Sequence, residues 1–374
     1  MNLVIYRKYR PQTFSEVIGQ ESIVRTLTNA LLLGKVGHAY LFCGPRGTGK
    51  TTMARLLAKA LNCEQRGQSA EPCNQCQSCL AISQGNALDL IELDAASNRG
   101  IDEIRQLREG IKFSPTQSKY KVFIIDEAHM LTKEACNALL KTLEEPPNHA
   151  YFILATTEAY KILPTIISRC QKFDFTKIPS QKIKQSLQNI AQKEGYKIDE
   201  AAAGLIAQTA QGYLRDGQSI LAKILASADA TKPISVADVQ DLLGLPDYQN
   251  VIQLADFLSL GQTKEAILLV NQISEAGYDL AQFTKLFVVW LRQIAILKVD
   301  PTLRELAAAH LTDEQFAVIL KQSQALPQAK ILEALNLFSD AEIKTKISFL
   351  PQMPLEIAII EMGLSDQDAI SKIV

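Results

Sequence analysis

One glycine-rich segment constrains this chain more than any other part of its sequence. It follows the pattern G-x-x-x-x-G-K-[ST] and comprises Gly44, Pro45, Arg46, Gly47, Thr48, Gly49, Lys50 and Thr51, continued by Thr52. An apolar run precedes the segment and a helical pattern follows it, which is the context of a strand–loop–helix turn. In such a turn, backbone N–H groups close around phosphate oxygens, and the helix N-terminus adds a favourable dipole. The segment therefore predicts a nucleotide phosphate-binding loop.

Two pairs of side chains have the chemistry that a nucleoside triphosphate requires. Lys50 is expected to reach the β- and γ-phosphates, and Thr51 to place its hydroxyl on Mg²⁺. A second apolar run, from Val122, ends in Asp126 and Glu127, and the carboxyl ends of strands are where open α/β sheets bind ligands. Asp126 suits the Mg²⁺ shell and Glu127 suits polarising an attacking water. Together these residues predict a hydrolytic site, with ATP and Mg²⁺ as its ligands.

A third polar strand end completes this set. The run Leu154-Ala-Thr-Thr-Glu158 ends in two threonines, and a hydroxyl there can bind the γ-phosphate or its water. Thr157 is the preferred candidate and Thr156 the alternative. The neighbouring His129 is interpreted as structural, although Asp-Glu-Ala-His resembles a helicase box, because the chain lacks a second motor domain.

The hydrophobic pattern divides the 374 residues into regions. Up to Phe175, apolar runs alternate with helical patterns, which predicts a parallel sheet with helical crossovers. The runs are His38–Cys43, Leu88–Leu93, Tyr120–Ile125, Tyr151–Ala155 and the weaker Gln171–Phe175. Beyond Ile178 the patterns are helical. We therefore expect an α/β nucleotide-binding domain at 1–178, a small helical lid at 179–243 and an all-α domain at 244–374, in which Phe283–Lys298 reads as a buried helix.

Composition is that of an ordinary globular protein, with 47% apolar and 21% charged residues and a net charge of −1. No overall basic excess points to nucleic acid, so any such contact would have to be local. The N-terminus lacks the order of an export signal, and no apolar run is expected to approach the ~20 residues of a membrane helix. The expected location is the cytoplasm.

Four of the seven cysteines are clustered in a short segment after the phosphate-binding loop: Cys63, Cys73, Cys76 and Cys79. In a reducing compartment such a cluster more often holds metal than forms disulfides. Four thiolates suit a closed, structural, tetrahedral Zn²⁺ site. Two alternatives for the four cysteines are an iron–sulfur cluster and a site without metal. The other cysteines are isolated in the sequence and are interpreted as small buried apolar residues: Cys43, Cys136 and Cys170.

Several further motifs, in this order, resemble those of the AAA+ clamp-loader ATPases of bacteria. Ile167-Ser-Arg-Cys170 is similar to their Ser-Arg-Cys motif, and Gly212-Tyr-Leu-Arg-Asp216 to their sensor-2 motif. The opening Tyr9–Gln20 is similar to their adenine-packing segment, and Leu139–Pro147 is also typical of them. The resemblance is close over residues 1 to about 245. It departs at Tyr213 and Gly217, where the family commonly has Ser and Ala.

This resemblance implies a function and partners. It implies a pentameric ATPase ring with other clamp-loader subunits, which opens a sliding clamp and places it on primer–template DNA. ATP would lie between neighbouring subunits. Arg169 would act in trans as an arginine finger, and Arg215 would reach the nucleotide of its own subunit. The resemblance favours Zn²⁺ at the cysteines and implies a helical collar for the last domain.

One DNA contact is expected on sequence grounds. Asn98 and Arg99 precede a helical pattern at 101–111, and small polar residues with an arginine at a helix N-terminus suit a DNA phosphate. The alternative is a plain helix cap with a solvated arginine.

Two rival functions remain. One is another AAA+ DNA-processing ATPase, of the branch-migration or initiator type, against which the cysteine insertion and Ser-Arg-Cys argue. The other is a non-hydrolysing scaffold subunit of the same ring. Such subunits typically lose loop residues, whereas Lys50, Thr51, Asp126 and Glu127 are all present here.

Overall fold

A computed structural model describes residues 4–97, 109–111, 113–244, 248–308 and 313–371. The chain separates into two units, Met1–Ile234 and Ser235–Val374. The first unit contains the sheet with its surrounding helices, the cysteine cluster and three helices that follow the sheet. In the second unit, the described elements are all helices. The division into domains at 178 and 243 stays a prediction.

Five parallel strands form the sheet of the first unit. They are β1 Ala39–Cys43, β2 Leu90–Asp94, β3 Lys121–Asp126, β4 Ala150–Thr156 and β5 Gln171–Asp174. Their order is β2-β3-β4-β1-β5, and every pairing is parallel. The predicted parallel α/β sheet is thus confirmed. The central strands are buried, whereas the edge strands β2 and β5 are partly exposed, because only one side of each pairs with a neighbour.

Helices cover both faces of this sheet, as the nearly continuous apolar runs require. The helices of this region are α1 Ile5–Lys8, α2 Glu21–Leu32, α3 Lys50–Asn62, α4 Gln77–Gln84, α5 Lys133–Glu144 and α6 Pro164–Ile167. Of these, α2, α3, α5 and α6 contribute residues to the two apolar clusters on the sheet. Successive residues of β1 point to opposite faces. Phe42 packs in one apolar cluster with Leu57 of α3, and Leu41 packs in the other with Leu139 of α5. These two cores fix the loop that follows β1 between sheet and helices.

Three helices follow the sheet: α7 Ser180–Lys193, α8 Glu200–Thr209 and α9 Leu214–Ser227. The departure at Gly217 has a packing consequence here. Gly217 lies in α9, and a Cβ at this position would come within 3.3 Å of the Ala210 Cβ and 3.4 Å of Ile183 Cγ2. Such contacts are tight, so the glycine lets α9 approach its neighbours closely. Tyr213 precedes α9, and its ring centroid lies 5.0 Å from Lys177 Nζ.

The second unit consists of helices around one apolar core. They are α10 Val236–Leu243, α11 Tyr248–Ser259, α12 Thr263–Glu275, α13 Leu280–Val299, α14 Arg304–Ala308, α15 Asp313–Ala325, α16 Gln328–Thr345 and α17 Met353–Ser371. Phe287 and Phe338 meet edge to face, with ring centroids 4.7 Å apart. The indole of the buried Trp290 donates to Gln322 Oε1 over 2.7 Å, which satisfies its polar atom. The predicted all-α C-terminal region is confirmed.

Helix α13 corrects one expectation from the sequence. It has 20 residues, its most apolar window of 18 has a mean hydropathy of 1.4, and it is long and apolar enough to cross a membrane by length and composition alone. The expectation that no run approaches this length is therefore wrong. Half of its most apolar window is buried inside the protein, and Phe283, Phe287 and Trp290 belong to the core. The core helix of a soluble protein passes the same test, so the finding is weak evidence for a membrane.

Candidate functional site

The glycines between β1 and α3 adopt backbone conformations that other residues rarely reach. Gly44, Gly47 and Gly49 have φ of +144°, +79° and +104°. Gly44 also lies against a neighbouring strand end, since a Cβ there would come within 2.4 Å of the Phe175 carbonyl oxygen. Its N–H donates to the Thr156 carbonyl over 3.1 Å. The loop is thereby fixed to the carboxyl ends of β4 and β5, with Gly49 at the N-terminus of α3.

Lys50 is the buried cation of this loop. Its side chain folds back, and Nζ donates to the Gly44 carbonyl over 2.8 Å and to the Pro45 carbonyl over 2.9 Å. Burial lowers the pKa of Lys50, an effect that the nearby Glu127 and Asp126 oppose. Thr48 Oγ1 also donates to the Pro45 carbonyl, over 2.8 Å. The ammonium is therefore held at the loop by groups that a bound anion can replace.

A hydroxyl and a carboxylate meet beside the lysine. Thr51 Oγ1 donates to Asp126 Oδ2 over 2.6 Å, which joins the first turn of α3 to the end of β3. Both groups are hard oxygen donors of the kind that Mg²⁺ takes. The residues predicted for a magnesium shell are thus brought together, although they are 75 positions apart in the sequence.

Glu127 follows in a conformation that is unusual for a side-chain-bearing residue. Its φ is +48°, and its N–H donates to Asp126 Oδ1 over 3.0 Å. Thr157 Oγ1 donates to Glu127 Oε2 over 2.9 Å, from the residue that follows β4. His129 is 7% exposed, and its ring nitrogens lie 3.1 Å from Thr156 Oγ1 and 3.1 Å from Glu158 Oε2. The carboxylate is thus oriented by its backbone turn and by Thr157.

These groups surround a cavity of about 490 Å³. Of the residues singled out from the sequence, its lining includes Arg46, Gly47, Thr48, Gly49, Lys50, Thr51, Thr52, Asp126, Glu127 and Arg215. Gly44 and Pro45 contribute the carbonyls that hold Lys50. The volume lies in the range of ordinary small-molecule sites. Most of the predicted nucleotide-binding residues therefore share one cavity.

Arg215 reaches this cavity from the start of α9. Its guanidinium carbon lies 4.6 Å from the centroid of the Tyr6 ring, a cation–π distance. The hydrogen bond of Arg215 to the Tyr6 hydroxyl lowers the pKa of Tyr6, and burial opposes this effect. The Arg215 Cβ also lies 3.4 Å from where a Cβ on Gly47 would stand. A cation from the helices after the sheet is thus packed against the phosphate-binding loop.

Several lining residues were not anticipated individually. They are Tyr6, Asp94, Ala96, Leu214 and Gln218, with Tyr9, Arg10, Pro11, Val17, Ile18 and Ile178. Asp94 could have been found, because it ends an apolar run as Asp126 does, and the two residues pair in register. Gln218 lies three residues after Arg215 and so shares its helix face. No sequence signal points to Tyr6.

Arg169 does not line the cavity of its own chain. It follows α6, its Nη1 donates to the Thr165 carbonyl over 2.7 Å, and its Nη2 forms an ion pair with Glu144. The Arg169 side chain is 32% exposed, while its Nε is buried without a hydrogen-bond partner. Asn98 and Arg99, predicted to contact DNA, lie outside the described residues.

The four clustered cysteines converge within the first unit, with Cys76 and Cys79 buried. All of them are free thiols, and the Sγ atoms of Cys63, Cys73, Cys76 and Cys79 lie within 4.8 Å of one another. In a tetrahedral zinc–thiolate site with bonds of about 2.3 Å, the sulfurs are about 3.8 Å apart. The cluster fits such an ion with small adjustments. The backbone N–H groups of Gln75 and Cys76 lower the pKa of Cys73 to about 6, whereas burial raises the pKa of Cys63 and of Cys79.

Comparisons with known proteins cover nearly the whole chain. The family model of the DNA polymerase III delta subunit matches residues 19–179, that of the clamp-loader ATPase lid domain residues 182–229, and that of domain III of subunits gamma and tau residues 234–371. The DNA polymerase III subunit gamma of Buchnera aphidicola is 41% identical over 80% of this chain and 81% of its own. The tau subunit of Bacillus subtilis is 41% identical over 96% of this chain.

The tau subunit of Escherichia coli is 39% identical over 84% of this chain. Both tau subunits are longer than the part they share with this chain, which spans 62% of the Bacillus subtilis protein and 49% of the Escherichia coli protein. The similarity therefore extends over both units of this chain. The two tau subunits contain further residues outside the shared part.

Proposed function

Since the chain belongs to the family of DNA polymerase III gamma and tau subunits, we propose that it is the ATP-hydrolysing subunit of a bacterial clamp loader. Its ATP binding and hydrolysis would place a sliding clamp on primed DNA, within a pentameric ring of clamp-loader subunits in the cytoplasm. The observation that carries the proposal is the meeting of Lys50, Thr51, Asp126 and Glu127 at one cavity. A non-hydrolysing scaffold would not need this complete set.

The loop residues act on the phosphates of ATP in this proposal. The Nζ of Lys50 exchanges its two loop carbonyls for phosphate oxygens, which is favourable because an anion satisfies a buried cation better than a neutral carbonyl. The N–H groups at the start of α3 add their dipole. Thr51 and Asp126 would hold Mg²⁺, which would neutralise charge on the phosphates.

Glu127 is the group that polarises the attacking water. Its carboxylate stands next to the cavity, and Thr157 fixes one of its oxygens. The second oxygen can accept a hydrogen bond from water, which raises the nucleophilicity of that water. Arg215 adds positive charge from the helices after the sheet, so nucleotide binding draws those helices and the loop together.

Arg169 completes the site of a neighbouring subunit in this proposal. Its absence from the cavity of its own chain and its partial exposure support a role in trans. A planar permanent cation stabilises charge that develops on the transferred phosphoryl oxygens. The Glu144 carboxylate holds the guanidinium until the neighbour offers a phosphate.

The nucleotide assignment is tested by the binding of Mg–ATP, measured by titration calorimetry. We expect Lys50→Ala to abolish binding, because the phosphates lose their buried counter-charge. The matched control is Lys141→Ala, which removes an exposed lysine of α5 and should leave binding unchanged. Unchanged affinity in Lys50→Ala would refute the assignment.

The metal assignment is tested by elemental analysis of the purified chain. We expect about one zinc per chain, as for a closed structural four-thiolate site. Cys76→Ser should lose the metal, and Cys136→Ser, which changes a buried cysteine of α5, should keep it. Iron in place of zinc would overturn the assignment, as would metal retained by Cys76→Ser.

A further inference from the structure

We propose that the cysteine insertion, residues 63–79, braces the nucleotide cavity, with Glu71 as the residue that positions the N-terminal segment, residues 9–18. The inference rests on the proposed function, because it assigns the cavity to a nucleotide. Four thiolates would account for the metal alone, yet the insertion also carries contacts that reach beyond its own residues. Contacts from Glu71 and from the two helices that flank the insertion meet at one short stretch of the N-terminal segment.

Glu71 makes the most direct of these contacts. Its Oε2 accepts the Phe14 N–H over 2.6 Å, and its Oε1 accepts the Ser15 N–H over 2.9 Å. Both oxygens of one carboxylate therefore bind two successive backbone donors, 57 and 56 residues away in the sequence. Hydrogen bonds to an ionised acceptor are about twice as strong as neutral ones. The side chain of Phe14 is 1% exposed, which fixes the same stretch from the other side.

Gln12 supplies a second contact, two residues before Phe14. Its Oε1 accepts from Lys59 Nζ over 2.8 Å, and it lies 3.2 Å from Ser83 Oγ, whose single proton is shared with the Cys79 carbonyl at 2.9 Å. Lys59 lies in the last turns of α3, four residues before Cys63, and Ser83 lies in α4, four residues after Cys79. The helices that enter and leave the cysteine cluster therefore both bind the amide of Gln12.

The stretch from Gln12 to Ser15 lies between two groups of residues that line the cavity. Tyr9, Arg10 and Pro11 precede Gln12, and Val17 and Ile18 follow Ser15. The stretch from Gln12 to Ser15 is covalently continuous with both groups, so holding it restrains the adjoining end of each. A carboxylate that fixes Phe14 and Ser15 thus sets the position of one wall of the cavity.

The cysteine cluster connects this brace to the metal. Cys73 lies two residues after Glu71, and its N–H donates to Cys63 Sγ over 3.3 Å, so the backbone near Glu71 is part of the thiol cage. Metal binding orders that cage. Any coupling between the metal and the nucleotide is reciprocal, since each ligand must change the affinity of the other by the same factor.

The experiment compares Glu71→Ala with Glu64→Ala in the full chain. Glu64 is the matched control, because its carboxylate binds Ser78 N–H inside the insertion. Backbone hydrogen exchange without nucleotide is measured first. We expect faster exchange across residues 9–18 in Glu71→Ala only, with zinc content unchanged in both variants. Unchanged exchange across this segment would overturn the proposal, as would loss of zinc from Glu71→Ala, which would make Glu71 a structural part of the metal site.

Mg–ATP affinity is measured next on the same proteins. If the segment is ordered in about one molecule in ten, the apparent Kd rises about tenfold, and we expect this rise in Glu71→Ala but not in Glu64→Ala. Chelation of zinc from the wild-type chain should have the same direction of effect. Equal affinity in both variants would contradict the brace. Failure of the wild-type chain to bind Mg–ATP would instead refute the proposed function, while hydrogen exchange still decides the brace.

Discussion

Glu127 combines a strained backbone with a carboxylate at the cavity. A φ of +48° costs a residue with a side chain about 1 to 3 kcal/mol. The hydrogen bonds of Asp126 and Thr157 to this residue offset that cost. In the proposed function, this strained residue is the one that activates the attacking water.

We therefore expect Glu127→Gln to bind Mg–ATP with nearly wild-type affinity and to lose ~10²-fold or more in turnover. The amide keeps the shape and one hydrogen bond but cannot polarise water as a carboxylate does. Calorimetry and steady-state phosphate release measure the two quantities separately. A variant that hydrolyses ATP at the wild-type rate would remove Glu127 from its assigned role.

Asp89 allows a test of how the sheet edge is held. This buried residue precedes β2, and its carboxylate accepts the N–H groups of Thr116, Gln117 and Ser118, each over 2.8 Å. Burial raises the pKa of Asp89, but these three donors outweigh it and leave the pKa below its usual value. The ionised form is thus favoured in the folded state.

A lowered carboxyl pKa contributes stability above the pKa of the unfolded chain, near 4, and that stability is lost as the pH falls through the folded value. We expect Asp89→Asn to reduce the free energy of unfolding by about 2 kcal/mol at pH 7. Below pH 4 the difference from the wild type should shrink. Denaturant unfolding at pH 7 and pH 3.5 checks this, and an equal difference at both values would contradict it.

At the scale of elements, the turn from β1 to α3 depends on glycine conformations in addition to the side-chain hydrogen bonds of Thr48 and Lys50. Gly44 combines a φ of +144° with a backbone oxygen 2.4 Å from where its Cβ would stand. Gly34, after α2, has a φ of +64° with open space around it. At Gly34 a side chain would cost free energy through the backbone conformation alone, whereas at Gly44 it would also collide with a neighbouring backbone oxygen.

We expect Gly34→Ala to lower the free energy of unfolding by about 1 kcal/mol, from its backbone conformation alone. Gly44→Ala should cost clearly more and should also weaken Mg–ATP binding, because Phe175 or the loop must shift. Denaturant unfolding and calorimetry provide both values. Equal losses in the two variants, with binding intact, would show that the contact with Phe175 does not hold the loop.

The strands and most residues of the cavity lining could be predicted from the sequence, because both depend on local sequence patterns. The strand runs, the glycine spacing and the carboxylates after β3 are all contiguous signals. Tyr6 was missed because its place depends on a packing contact with Arg215, more than 200 positions later. The contacts of Glu71 with Phe14 and Ser15 were missed for the same reason. Asp94 is predictable from the sequence, because it ends an apolar run as Asp126 does.

At the scale of the whole molecule, the described chain presents a hydrolytic site together with an arginine directed elsewhere. Arg169 is paired with Glu144 and does not line the cavity. The proposed ring resolves this arrangement, because a neighbour then receives the guanidinium. In this proposal, the site of one chain is complete for binding and incomplete for fast hydrolysis.

We expect Arg169→Ala to bind Mg–ATP normally and to leave the slow turnover of the isolated chain unchanged. In the assembled ring, turnover should fall by ~10³-fold, the effect of an absent arginine finger. Glu144→Ala is the matched control, since it frees the guanidinium without removing it, and it should keep ring turnover. A loss of turnover that is equal in the isolated chain and in the ring would place Arg169 in its own site.

The most direct measurement is ATP turnover by the chain alone, then with the partner clamp-loader subunits, and finally with sliding clamp and primed DNA. The proposal predicts slow turnover alone and strong stimulation only when clamp and primed DNA are both present, with the stimulation lost in Lys50→Ala. Full turnover by the isolated chain, unaffected by subunits, clamp or DNA, would contradict the assignment to a clamp loader.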